Sequence, residues 1–151
     1  MDFDYLFLEA LLIDRLKSLM DADVNFIGGL PDLAAMDDQV QHASAVYVIY
    51  LGDQLRSTAK QQGAQRAVQM LNQNWAVVIA LSVADANNDG EEARRQAGPL
   101  IGKLLTTLTG WKPSIDVGPL ARSPRPTPPG YTDGFFYYPF VFTAEFMFPR
   151  K

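Results

Sequence analysis

The stretch FFYYPFVFTAEFMF, Phe135–Phe148, decides how this chain folds. Alternation puts Phe136, Tyr138, Phe140, Phe142, Phe146 and Phe148 on one face, and Tyr137, Pro139, Val141, Thr143, Glu145 and Met147 on the other. Successive side chains of a strand point to opposite faces, so a period of two in aromatic and β-branched residues predicts a strand. Aromatic rings bury the most area of any side chain. A face built from them must meet a helix layer or another subunit. The last strand is therefore expected in the core and not as a tail.

Upstream lies a helix that ends at Thr109-Gly110-Trp111-Lys112-Pro113. Its spacing buries Ala93, Ala97, Leu100, Ile101, Leu104, Leu105 and Leu108. Asn88 and Asp89 are the N-cap candidates, with Glu91 and Glu92 as capping-box partners. Gly98 and Gly102, one turn apart, suggest close approach to a sheet or helix, and Pro99 should kink the helix near residues 95–98. Gly110 reads as the C′ residue, and Pro113 blocks continuation.

Further upstream, Ser44–Gly52 (SAVYVIYLG) is apolar on both faces, as a central strand covered on both sides would be. Asp53–Gln65 is polar and aperiodic, which reads as a loop or a hairpin tip. Gln65–Asp85 reads as extended, best at Trp75–Val83. A straight strand of that length would span roughly 65 Å, so a bulge or protruding hairpin is expected near Asn72–Asn74. At the N-terminal end, Leu8, Leu11, Leu12, Arg15, Leu16, Leu19 and Met20 follow helical spacing and predict an amphipathic helix packed on a sheet. Val24–Ile27 reads as a short strand stopped by Gly28-Gly29, and Pro31 could open a helical turn through Met36.

Residues 112–134 carry Pro113, Pro119, Pro124, Pro126, Pro128 and Pro129. That density excludes a central strand and favours an extended arm or ordered loop. Because the aromatic strand follows, the arm belongs to a single domain spanning residues 1–151. The expected fold is α+β: a mixed, mainly antiparallel sheet of about four to five strands packed by two main helices.

Composition limits the function. The apolar fraction is 48% and the formal charge -4, which gives a globular chain with no global attraction to nucleic acid or anionic membrane. Without cysteine there is no disulfide, thiolate nucleophile or zinc-thiolate site. Asp2, Asp4, Glu9 and Asp14 interrupt the apolar N-terminal stretch, so it does not read as a signal peptide, and no segment is long and apolar enough to span a membrane.

Motifs for chemistry fail on inspection. Asp85-x-Asn87-x-Asp89-Gly90 matches the first half of a calcium loop, but Gln96 stands where a bidentate glutamate is needed. A polar turn and helix cap explain the same residues. His42 is the only histidine and has no second metal ligand or catalytic motif beside it. Gly28-Gly29-Leu30-Pro31 lacks the lysine of a phosphate loop and reads as a tight turn. Arg94-Arg95 answers Glu91-Glu92, and Trp75 and Trp111 read as core anchors. No catalytic residue, cofactor or metal site is expected.

The order of these elements resembles the phage tail terminator family, including its Mu-type and lambda-type members. The residues that carry the resemblance are Val48-Ile49-Tyr50-Leu51-Gly52-Asp53, Gln73-Asn74-Trp75-Ala76-Val77-Val78, Ala97-Gly98-Pro99-Leu100-Ile101, Leu108–Pro113 and Tyr138-Pro139-Phe140-Val141-Phe142. The resemblance implies a structural virion protein, assembled in the bacterial host cytoplasm, whose copies form a hexameric ring. Its implied partners are the tail tube protein and the head–tail connector proteins. The ring would cap the tube, stop its polymerisation and present a surface for head joining. Expected contacts are Gln54, Arg56, Lys60 and Arg66 from the polar stretch, and Arg122 and Arg125 from the arm. Two rival readings stay open: another neck or head–tail completion protein, and a small-ligand binding domain or enzyme using the groove between helices and sheet.

Overall fold

A computed structural model describes residues 3–31, 42–60, 67–82, 90–132 and 134–149, with 57–60 and 67–68 described by backbone alone. The elements in chain order are α1 (Leu8–Met20), β1 (Phe26–Gly29), β2 (Ser44–Lys60), β3 (Ala67–Ser82), α2 (Glu91–Leu108), β4 (Ala121–Arg122), β5 (Gly130–Thr132) and β6 (Phe135–Phe148). The strands form one six-stranded sheet in the order β1-β2-β3-β6-β4, with β5 also on β6. Only the β1–β2 pair is parallel, so the sheet is mixed and mainly antiparallel, and the class is α+β as expected. Six strands exceed the four or five expected because the proline arm contributes β4 and β5, too short to leave a periodic signal.

The two helices among the described residues lie on one face. α1 packs on β1, β2 and α2, and α2 packs on β3. Leu8, Leu12, Leu16 and Met20 from α1 and Ala93, Ala97, Leu104 and Leu108 from α2 are buried with Val46, Val48, Trp75, Val77, Ile79 and Phe142 of the sheet. The even residues of β6 face this layer, as the alternation requires: Phe142, Ala144 and Phe146 are buried, and Phe136, Tyr138, Phe140 and Phe148 pack against them. Ala45, Tyr47, Ile49, Ala76, Val78, Ala80 and Tyr137 make a second buried cluster on the opposite face. Residues 45–49 are therefore covered on both sides, as the two apolar faces predict, whereas Leu51, expected on a covered face too, is exposed because β1 ends opposite Val48.

Several expectations need correction. β1 runs through Gly28-Gly29 instead of stopping there. Glycine serves close approach here, since a Cβ on Gly28 would lie 2.6 Å from the Phe26 ring and one on Gly29 would strike the Glu9 carboxylate. The polar stretch from Asp53, expected as a loop or a hairpin tip, is strand as far as Lys60, because β3 supplies an antiparallel hydrogen-bonding partner along its length. Residues 61–66 lie outside the described residues. β3 is unbroken at Asn72–Asn74, and the register shifts fall in β2, at Leu51 and Arg56.

α2 opens without a side-chain cap. Its N-cap is Gly90 at φ 72°, and a Cβ there would collide with the Phe136 ring, while the proposed caps Asn88 and Asp89 lie outside the described residues. Gly98 and Gly102 have nothing within 4 Å of a would-be Cβ, so they mark an open helix face and no close contact. The helix continues through Pro99. Gly110, at φ 77°, ends it as predicted. The turn expected over Pro31–Met36 lies almost wholly outside the described residues, as do Asp85–Asp89 of the calcium-like loop.

Candidate interaction surface

The two margins of the sheet are built differently, and the candidate contacts divide between them. On the β6 side the arm runs along the strand's whole outer edge. Val117 bridges to Phe146, Gly118 N–H donates to Glu145 O at 2.8 Å, and Ala121 and Arg122 pair with Thr143 and Phe142. Ser123 N–H donates to Val141 O at 2.8 Å, Thr127 Oγ1 donates to Pro139 O at 2.6 Å, and Gly130–Thr132 complete the ladder opposite Tyr137–Phe135. The arm is anchored to the end of α2 as well, because Gly110 N–H donates to Leu120 O and Leu120 N–H to Trp111 O. Leu120 and Val117 are buried in the core cluster.

On the other side, β1 pairs with β2 only from Ala45 to Val48. From Tyr50 to Lys60, β2 pairs with β3 alone among the described residues. Leu51, Asp53, Gln54, Leu55 and Arg56 are all exposed, Leu55 at 55%. Each bulge inserts one extra residue into β2, which bends the strand and re-aims side chains. Arg56, so turned, reaches across β3 to pair with Glu145 of β6.

A polar clasp fastens the N-terminal segment to this ribbon. The Tyr5 hydroxyl donates to the Asp53 carboxylate. Buried Gln73 donates from Nε2 to the Tyr5 carbonyl at 2.8 Å and accepts the Trp75 Nε1–H at 3.0 Å. Around it, Tyr5 meets Phe148 edge-on at 5.6 Å and Phe7 meets Phe146 at 5.5 Å. Burial, reinforced by the hydrogen bond to Asp53 and its charge, raises the Tyr5 pKa well above the ordinary phenol value. The hydroxyl therefore stays a donor. Burial first, then Asp53, raises Tyr50 too.

The six predicted contacts do not form one patch. Gln54 and Arg56 lie on the open margin. Lys60 continues the same strand by backbone, its side chain not described, and Arg66 lies outside the described residues. Arg122 and Arg125 are exposed on the paved margin, with the Arg122 guanidinium 5.3 Å above the Phe140 ring. Sequence reasoning missed Tyr5, Asp53 and Glu145 as partners, since their contacts join residues 48 and 89 positions apart. Leu51, read as part of a covered strand face, and Leu55, the one leucine of the polar stretch, were also missed as exposed side chains.

A groove of about 450 Å³ between α1 and α2 is lined by Arg15, Leu19, Gly102, Lys103, Thr106 and Thr107. Its polar groups are engaged: Arg15 Nε donates to Thr107 O at 3.2 Å, Lys103 pairs with Asp23 at 2.6 Å, and both threonine hydroxyls donate to helix carbonyls. His42 stacks flat on Phe26 at 4.7 Å. Arg95 pairs with Glu91 at 2.6 Å on the first turns of α2. Among the described residues, no group of three His, Asp or Glu side chains could hold a metal.

A family model described as "Phage tail terminator protein" matches residues 1–151, the whole chain. The chain belongs to the phage tail terminator family. A search of curated proteins finds no match. Membership gives this tail terminator a part in phage tail assembly or completion and makes it a tail component of the virion. Among the described residues, no helix is long and apolar enough to cross a membrane.

Proposed function

We propose that this tail terminator caps the tail tube. Copies assemble into a hexameric ring, the ring seats on the last tube ring and stops its growth, and the exposed side receives the head–tail connector. The whole-chain family match is the observation that carries this reading. Two unlike sheet margins support it, because a ring closed by head-to-tail contacts needs two different complementary patches on each subunit. The protein works by docking and makes or breaks no bond. Gln54, Arg56, Lys60 and Arg66 serve one side of these contacts, and Arg122 and Arg125 the other.

Electron microscopy of phage tails assembled without the protein tests the reading. Overlong tails are the expected result. Tails of normal length would overturn capping, and normal-length tails that fail to join heads would assign the chain to the neck instead.

A further inference from the structure

We infer that the open margin of β2, from Tyr50 to Lys60, docks an extended segment of a neighbouring copy, so that the sheet continues from one subunit into the next. The inference rests on the ring reading above and names the contact that would build the ring. Val48 O accepts the Leu30 N–H at 3.1 Å on the side away from β3. Antiparallel pairing turns alternate residues the same way, so Tyr50 presents its N–H and C=O outward just where β1 has ended. Water satisfies these exposed backbone groups in the free subunit, and an extended backbone can replace it along the whole edge at strand spacing, about 4.8 Å away.

Side chains on this margin fit the same occupant. Natural edge strands are blunted with charge, proline or a covering segment, because an open edge templates pairing. The β6 margin is treated that way: Pro124, Pro126, Pro128 and Pro129 lie in the arm that covers it, and proline has no N–H to offer. The β2 margin has charge at Asp53 and Arg56 and two bulges, but no described segment covers it past Val48, and Leu51 at 41% and Leu55 at 55% exposure stand among its polar residues. Its two bulges break the even register that two identical β2 edges would need for twofold self-pairing. An unlike segment of the next copy, used once per subunit, meets both conditions and gives the head-to-tail contact a ring requires.

The test compares the wild-type chain with the double variant Leu51→Lys/Leu55→Lys and with Leu19→Lys, which alters an exposed leucine on α1 as a control. Light scattering over a concentration series reads assembly, circular dichroism and thermal melting read folding, and hydrogen exchange reads the Tyr50 and Leu55 amides. The wild type and Leu19→Lys should assemble alike and slow those amides on assembly. The double variant should fold and melt as wild type, yet need about tenfold or more protein to assemble. Assembly of the double variant at the wild-type concentration overturns the inference. So do edge amides that exchange equally in free and assembled protein, or a wild-type chain that stays monomeric at every concentration. Tail length judges capping separately, so the ring contact can fail while the capping role stands.

Discussion

The two margins of this sheet solve the same physical problem in opposite ways. Beside β6, the arm spends its carbonyls, amides and the Thr127 hydroxyl on the strand edge, and buries Val117 and Leu120 beneath it. Beside β2, past Val48, no described segment covers the edge, and two leucines stand exposed along it. The paved margin is part of folding, and we propose that the open one is used in assembly. If that division is right, substitutions on the paved side cost stability, and those on the open side cost assembly with little loss of stability.

The largest expected effect is on the paved side. Leu120→Ala removes a side chain only 3% exposed, and should cost about 2–5 kcal/mol in chemical denaturation while loosening the arm from β6. An unchanged midpoint would mean that the arm is not part of the core. Next comes the clasp between the margins. Gln73→Ala leaves the Trp75 Nε1–H and the Tyr5 carbonyl without their partner, for about 1–3 kcal/mol. A smaller loss than from an exposed-site control would show that water replaces the amide.

Tyr5→Phe should cost about 1 kcal/mol at neutral pH by removing the hydrogen bond to Asp53. Its pH dependence has a definite sign. The folded pKa of Tyr5 is raised, by burial first and by Asp53 second. Its stabilising contribution is fully present below the unfolded phenol pKa of about 10 and is lost as pH rises toward the folded value. Melting curves from neutral pH to pH 11 should show that part of the alkaline loss in wild type and not in Tyr5→Phe; parallel curves would remove the assignment. The smallest effect belongs to the open side. Arg56→Ala breaks an ion pair with Glu145 whose side chains are 56% and 42% exposed, and should change stability by less than about 1 kcal/mol. A larger loss would mean that the margin is already part of the folded core.

Sequence made the buried parts of this comparison legible and hid the margins. The even face of β6, the two-sided burial of residues 45–49, the α1 stripe and Gly110 all carry local signals, because a buried face imposes its period on the residues that form it. Asp53–Lys60 carries none. Its described residues, through Arg56, are exposed and need no apolar alternation, so the strand is held by backbone pairing to β3 that no local pattern encodes. The same reason hid Tyr5–Asp53 and Arg56–Glu145, which join distant stretches. Gly98 and Gly102 misled in the other direction, since small residues fit an open face as well as a tight one. The candidate contacts were found by charge and loop character. That located Gln54 and Arg56 on the open margin and Arg122 and Arg125 on the paved one, without showing that the two groups lie at opposite ends of one sheet.

The most direct test of the central claim adds the purified chain to tail tube protein as it polymerises and measures tube lengths by electron microscopy. The account predicts that about one ring per tube arrests growth and appears as density at a single tube end. Tubes that grow to the same lengths with and without the chain, at every ratio, would contradict it.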